Sequence, residues 1–184
     1  MKKVIIAGGP GSLKKELGTA LIHEHPEFHL VRDAFKVVLR RENRRGRSQL
    51  GYTPKTPRHD VAEYIRQVCR EIRESERTLP KKANVFVLRK SLVDAVALTR
   101  QKGRDDIAAT LQQQFDPSSF SGVLFCDYRL GAIQDATRQV QDTFAATAQA
   151  YYESGLTIVH IPAGPMDERL AFAEEHIQTF AELP

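Results

Sequence analysis

The residues with the most chemical content are Gly8, Gly9, Pro10, Gly11, Ser12, Lys14 and Lys15, gathered within one short stretch. The glycines permit tight turns and let backbone N–H groups point into one concavity. Lys14, just beyond them, adds a point charge able to reach phosphate oxygens. These residue types read as a cradle for a phosphate chain if a strand delivers the loop and a helix starts directly after it. The pattern G-x-x-x-x-G-K-[ST] is met in part: Leu13 stands where its second glycine belongs, and Lys15 where its hydroxyl belongs. The alternative G-x-G reading through Gly9 and Gly11 lacks its third glycine. The same strand–turn–helix unit also occurs as plain punctuation in α/β chains, and that reading stays open.

The elements that must position the loop are legible on either side of it. Residues 4–7 are a short apolar, mostly β-branched run, and Leu13, Leu17, Ala20 and Leu21 recur at helical spacing until Pro26. Residues 28–31 predict a second strand, and 33–41 a helix with Phe35, Val38 and Leu39 on one face. Residues 44–58 carry two glycines, two prolines and no apolar periodicity, which predicts a long, mobile, basic loop. Asp60 is placed to cap a helix whose stripe is Val61, Ile65, Val68, Cys69 and Ile72. Residues 84–88 read as a buried strand, and Ser91 as the cap of a helix carrying Leu92, Val93, Val96 and Ala97. A short helix over 107–115, a strand over 122–126, an irregular crossing, and a helix over 135–153 follow. A last strand over 156–161 and a helix from Asp167 close the chain.

Five strands alternating with helices, several of them continuously apolar, predict one α/β domain over 1–184 with a parallel sheet covered on both faces. In such sheets ligands bind beyond the carboxyl ends of the strands. The stretches to read for chemistry are therefore 8–15, 32–36, 89–94, 127–138 and 162–169. The six histidines show no metal spacing, His160 reads as a core residue, and Cys126 as small core filler. Tyr151 and Tyr152 suit helix packing.

Composition narrows the setting. With 41% hydrophobic and 27% charged residues and no long apolar run, the chain reads as globular, without a membrane partner. Two cysteines, Cys69 and Cys126, suggest no disulfide framework, so a cytoplasmic location is expected. Charge is uneven: residues 1–103 hold 23 Lys and Arg against 11 Asp and Glu, and residues 104–184 hold 4 against 12. Nine of the basic side chains fall within 30–60, a cluster that favours an anionic partner or forms a solvated basic face.

Taken in order, the strand-end stretches resemble the small single-domain P-loop NTPases of the AAA-type ATPase and nicotinamide riboside kinase-like group, over nearly the whole chain. That group opens with a strand and GGPGSGKTTL, where this chain has Gly8-Gly9-Pro10-Gly11-Ser12-Leu13-Lys14-Lys15-Glu16-Leu17. Its Glu-x-x-Arg after the second strand appears here in a conservative version, Asp33-Ala34-Phe35-Lys36. After the third strand that group carries Asp-Arg-Ser-x-x-Asp, where this chain has Arg89-Lys90-Ser91-Leu92-Val93-Asp94. Its lid pattern Asp-x-x-Arg is matched by Asp135-Ala136-Thr137-Arg138, and its closing strand and helix by Val159-His160-Ile161-Pro162 and Glu168-Arg169.

The resemblance implies a nucleoside kinase-like fold: a three-layer α/β/α sandwich with a mainly parallel five-stranded sheet in the order 2-3-1-4-5. It implies a lid at about 127–138 and a purine nucleoside triphosphate, ATP or GTP, held at the phosphates by Lys14. Arg138 would offset transition-state charge, and Asp33 and Lys36 would bind or orient an acceptor. In that group the loop threonine and the aspartate after strand three help hold Mg²⁺. Lys15 and Arg89 occupy those positions here, and neither can ligate a hard cation, which argues against Mg²⁺ and against turnover. Lys14, Lys15, Arg89 and Lys90 could instead bind phosphate without metal. Two further readings stay open: a non-catalytic anion- or nucleic-acid-binding module using the basic 32–58 region, and an α/β scaffold with no ligand.

Overall fold

The computed structural model describes residues 2–49, 51–127 and 137–182. Its apolar runs form strands β1 (Lys2–Ala7), β2 (Phe28–Leu30), β3 (Val85–Leu88), β4 (Gly122–Cys126) and β5 (Ile158–Ile161). They make one parallel sheet in the order β2-β3-β1-β4-β5, as the resemblance implied. β1 lies at its centre, with Val4 facing Val87 on one side and Gly122 on the other. The loop that follows β1 therefore leaves from the middle of the sheet.

Alternation along the strands sorts the side chains into two cores. Ile5, Phe86, Leu88, Val123 and Phe125 face helices α2 (Ala34–Ser48), α3 (Val61–Arg77), α4 (Leu92–Gln101), α5 (Asp105–Gln114) and α6 (Arg138–Tyr152). Val4, Ile6, Val87, Leu124 and Cys126 face α1 (Lys14–Glu24) and α7 (Met166–Glu182). Both faces are covered, which is why these strands read as continuous apolar runs. Gly122 has a packing reason: a Cβ there would lie 2.4 Å from the Phe180 ring. No described helix is long and apolar enough to cross a membrane.

Local signals placed several helix starts correctly. Asp60 accepts from the Glu63 amide at 3.0 Å, and Ser91 and Asp94 form a reciprocal capping box at the start of α4. The expected loop over 44–58 is wrong in its first part, because α2 continues to Ser48. The cause is Glu42, turned fully inward, whose carboxylate accepts from Tyr52 Oη, from the Lys55 amide at 2.9 Å and from Arg45 at 3.2 Å. A buried carboxylate thus does the anchoring that periodicity seeks in apolar residues. Gly46 lets Pro54 lie against the helix, where a Cβ would come within 2.4 Å of the ring. Leu39, expected on the buried face, is 36% exposed. The helix expected over 135–153 is described from Arg138 onward, and Asp135 and Ala136 of the lid pattern lie outside the described residues.

Candidate functional site

The loop after β1 adopts a shape its sequence resists. Gly8 and Gly11 take φ of 133° and 83°, and a Cβ on Gly8 would sit 2.6 Å from Ser12 Oγ and 2.8 Å from the Cys126 carbonyl oxygen. Leu13 is also left-handed, at φ 58° and ψ 18°, the only such non-glycine among the described residues. That conformation costs an L-residue about 1–2 kcal/mol. So the backbone keeps a glycine geometry at the position where the phosphate-loop pattern has glycine and this chain has leucine.

Ser12 ties the loop together from inside. Its hydroxyl donates to the Gly9 carbonyl at 2.9 Å, and its own carbonyl accepts from Arg169 Nη2 at 2.9 Å. Arg169, in the first turn of α7, is only 1% exposed, and its Nε finds no partner among the described residues. A fixed cation is therefore buried directly beneath the loop. α1 starts with no side-chain cap, leaving its first amides open to an anion.

Lys14 Nζ donates to the carbonyl of Gly8, within its own loop. Burial, and then the neighbouring Lys90, push its pKa down to about 8, against the opposite pull of Asp94. Asp94, from α4, is the carboxylate that balances this cluster. Its Oδ2 accepts from the Ser91 amide at 2.8 Å and from Tyr151 Oη at 2.7 Å, and its Oδ1 pairs with Lys90 Nζ at 3.1 Å. Burial works against the Asp94 charge, yet Lys90, Lys14 and these hydrogen bonds hold its pKa below the ordinary value. Lys90 shows the mirror image: burial opposes its charge, and Asp94 raises its pKa above the usual lysine value. Its ammonium also lies 5.3 Å from the centroid of Phe35.

The structure therefore brings Lys14, Lys90 and Asp94 together, with Asp33 near enough to act on both lysines. Asp33 caps α2 through the Lys36 amide at 3.1 Å, which leaves the Lys36 side chain exposed one turn into that helix. Lys15 is not part of the cluster. It is exposed and borders the outer face of α1 beside Thr19 and His23. The stem of Arg89 packs against Gly18 of α1, and its Nε is buried without a partner among the described residues. The expected four-cation site thus contracts to Lys14 and Lys90, with Arg89 alongside α1. Arg138 is exposed at the start of α6.

His160 is not a core residue. β5 is an edge strand, and His160 is exposed, its Nδ1 at 2.9 Å from Asp127 Oδ1 and its Nε2 at 2.8 Å from Tyr152 Oη. Cys126 is fully buried as expected, and burial pushes its thiol up to about 11, against the pull of Arg169 and Lys14. Two site residues have roles the sequence did not assign: Arg169 is named in the resemblance without a role, and Tyr151 reads as a packing residue. Arg169 precedes the buried Ala173, Ile177 and Phe180 at helical spacing, so the stripe that marked α7 could have marked it as inward-facing. Tyr151 was assigned to packing, and its hydroxyl is what completes the Asp94 cage. The described residues hold no group of three or more His, Cys, Asp or Glu arranged to take a metal.

A family model described as AAA domain matches residues 3–169. Among solved structures, the NadR protein in complex with NR superposes with a TM-score of 0.70 at 12% identity, covering 100% of this chain. The chain spans about half of that protein, 52% of its length. The thymidylate kinase from Candida albicans superposes with a TM-score of 0.68 at 15% identity, over 98% of this chain and 93% of that one. No curated protein sequence matches. At these identities the superpositions establish the shared P-loop kinase-like fold.

Proposed function

The chain belongs to the AAA domain family, and from that premise we propose that its glycine loop binds the phosphate chain of a purine nucleoside triphosphate, ATP or GTP, without a resident metal and with very slow or absent turnover. The observation that carries this reading is Leu13. A leucine held left-handed at the uncapped start of α1 keeps the loop in the shape a phosphate requires, at a cost in stability. The solved relatives with the same fold include a thymidylate kinase, which supports a nucleotide as the ligand class.

The chain's own residues divide the work. Open amides at the start of α1 would receive phosphate oxygens, and Lys14 would exchange its bond to the Gly8 carbonyl for one to phosphate. Arg169 would add fixed positive charge from beneath. Lys90, held by Asp94, would stay as a second cation at the rim. Asp33 and Lys36 stand on the next strand end, where an acceptor would be oriented, and Arg138 leads α6 on the far side.

The residues present do not fit Mg²⁺. Asp94 is already engaged by Lys90, Tyr151 and the Ser91 amide, and Asp127 by His160. Lys15 and Arg89 stand in the sequence where the resemblance puts metal-holding side chains, and neither offers an oxygen ligand. Phosphoryl transfer leans on a metal bridging the β- and γ-oxygens, so its absence leaves binding without efficient chemistry. A cytoplasmic setting agrees with Cys69 and Cys126 both remaining free thiols.

Titration with ATP and GTP, with and without Mg²⁺, by calorimetry and thermal shift tests the reading. The expected result is stabilisation that does not need metal and that Lys14→Met removes. Stabilisation seen only with Mg²⁺, accompanied by robust turnover, would overturn the metal-free site. No stabilisation by any nucleotide or polyphosphate would leave the loop as a scaffold.

A further inference from the structure

A cavity of about 690 Å³ lies away from the loop, in the groove between α2 and α3. Arg41 and Arg45 line one wall, and Arg70, Arg73 and Arg77 the other. No lysine, aromatic or apolar residue contributes to it; the rest of the lining is Glu63, Gln67, Glu71 and Glu74. We propose that this groove binds the phosphate backbone of a single-stranded nucleic acid, as a site separate from the nucleotide loop.

The internal pairing shows which charges are available. Arg41 is engaged by Glu71 at 3.5 Å and Gln67 at 3.2 Å, and Arg45 by Glu42 at 3.2 Å. Glu63 is taken by Arg66 and Gln67. On the other wall Arg73 donates to Gln114 at 3.4 Å, and Arg70, Arg73 and Arg77 have no carboxylate within ion-pair distance among the described residues. All three are exposed. Glu74 is the carboxylate of that wall without a side-chain partner among the described residues. The free charge is therefore a row of guanidiniums at i, i+3 and i+7 along α3.

That row selects its ligand by chemistry. Seven residues of helix extend about 10 Å, which is the reach of roughly three phosphates on a strand carrying one charge per about 3.4 Å. Guanidinium forks match phosphate oxygens in pairs, whereas a lysine presents a single charge. A protein partner would need apolar or aromatic anchors, and the lining has none. The absence of aromatic platforms also excludes base stacking as the source of affinity, so binding is to backbone and indifferent to sequence. The free guanidiniums form a single row about 10 Å long, which tracks the phosphates of one strand and offers nothing to a second.

The test is fluorescence anisotropy with the intact chain and labelled 20-nucleotide single-stranded DNA and RNA, the matching duplex, and poly-glutamate, at 50 and 200 mM salt. Single strands should bind, and three to five phosphate contacts should weaken binding roughly twentyfold to a hundredfold between those salts. The triple change Arg70→Gln, Arg73→Gln and Arg77→Gln should weaken it at least tenfold. Lys81→Gln, Lys82→Gln and Lys102→Gln remove the same charge from other exposed positions and should change it less than threefold. Lys14→Met should leave it unchanged. Circular dichroism of each variant checks that the fold is intact, and single changes at Arg70 and Arg77 replace the triple if it is not. No binding at 50 mM salt, an equal loss in the lysine control, poly-glutamate bound as tightly as the single strands, or duplex bound more tightly would each overturn the proposal.

Discussion

The loop after β1 and the groove between α2 and α3 are both cationic, yet they are built in opposite ways. Around the loop the charges are buried and mutually dependent: Lys14 presses on Lys90, both lean on Asp94, and Tyr151 and Ser91 close the cage. In the groove, Arg70, Arg73 and Arg77 stand in water, each independent of the next. A buried network sets position and protonation but is costly to break. An exposed row sets only a charge density, which salt screens and single substitutions barely disturb. The two regions should therefore answer mutation, pH and salt differently.

The largest contrast is in stability. Asp94→Ala removes the partner of the half-buried Lys90, leaves the Ser91 amide unsatisfied and leaves Tyr151 Oη with only Ser91 Oγ. Breaking such a pair costs about 3–5 kcal/mol. Glu71→Ala in the groove breaks a 3.5 Å pair with half-exposed Arg41 and should cost less than about 1 kcal/mol. Urea denaturation of the two variants measures both. A loss below about 1 kcal/mol for Asp94→Ala would show that the loop's cations do not depend on one carboxylate.

Ligand binding should separate the regions next. Lys14→Met removes a charge-assisted contact worth about 1.5–3 kcal/mol, or roughly ten- to a hundredfold in affinity for triphosphate. The arginines of α3 should not matter for that ligand. Loss of triphosphate binding in the Arg70, Arg73 and Arg77 variant would merge the two sites into one.

How much of this was legible in the sequence follows from the same contrast. Strand order, the two covered faces and the caps at Asp60 and Ser91 rest on apolar runs and local hydrogen-bonding residues, and both leave a pattern. Glu42 leaves none, because an inward carboxylate looks like any surface charge, and α2 was accordingly ended too early. Lys15 was placed with Lys14 because adjacent residues look alike in a string, although a helix start turns them to different sides. The basic 32–58 segment was seen as one cluster. In the fold only its Arg41 and Arg45 line the groove, and the free arginines opposite come from α3, whose amphipathic stripe had drawn attention to its other face.

Protonation gives a finer separation. Lys14 titrates near pH 8 in the folded chain, below its ordinary 10.5. Between those values the unfolded chain binds more protons at this residue, so its contribution makes the fold more stable as pH rises through the window. Phosphate needs the charged form and would itself raise the Lys14 pKa. Triphosphate affinity should therefore fall above about pH 8, by at most about tenfold per unit. Arginines stay charged throughout, so oligonucleotide binding to the groove should be flat from pH 7 to 9. Calorimetry and anisotropy at matched ionic strength measure the two profiles. Parallel profiles would mean that one set of groups serves both ligands.

The smallest effect expected concerns Leu13, and it bears on why the loop keeps its shape. If the left-handed conformation is imposed by Ser12, Arg169 and the close fit at Gly8, then Leu13→Gly relieves about 1–2 kcal/mol of backbone strain. The gain is offset by the greater freedom of glycine in the unfolded chain, about 0.5–1 kcal/mol, and by the loss of a half-buried side chain. Net stability should change by less than about 1 kcal/mol in either direction. Binding should improve with little change in stability, because glycine holds the left-handed conformation without a side chain beside the loop amides. Lys15→Thr, added to it, should sharpen triphosphate binding without creating Mg²⁺ dependence, since Arg89 remains and Asp94 stays engaged by Lys90. Comparing melting temperature with triphosphate affinity across wild type, Leu13→Gly and the double variant separates shape from charge. A large loss of stability in Leu13→Gly would show that the leucine side chain, rather than the surrounding hydrogen bonds, holds the loop.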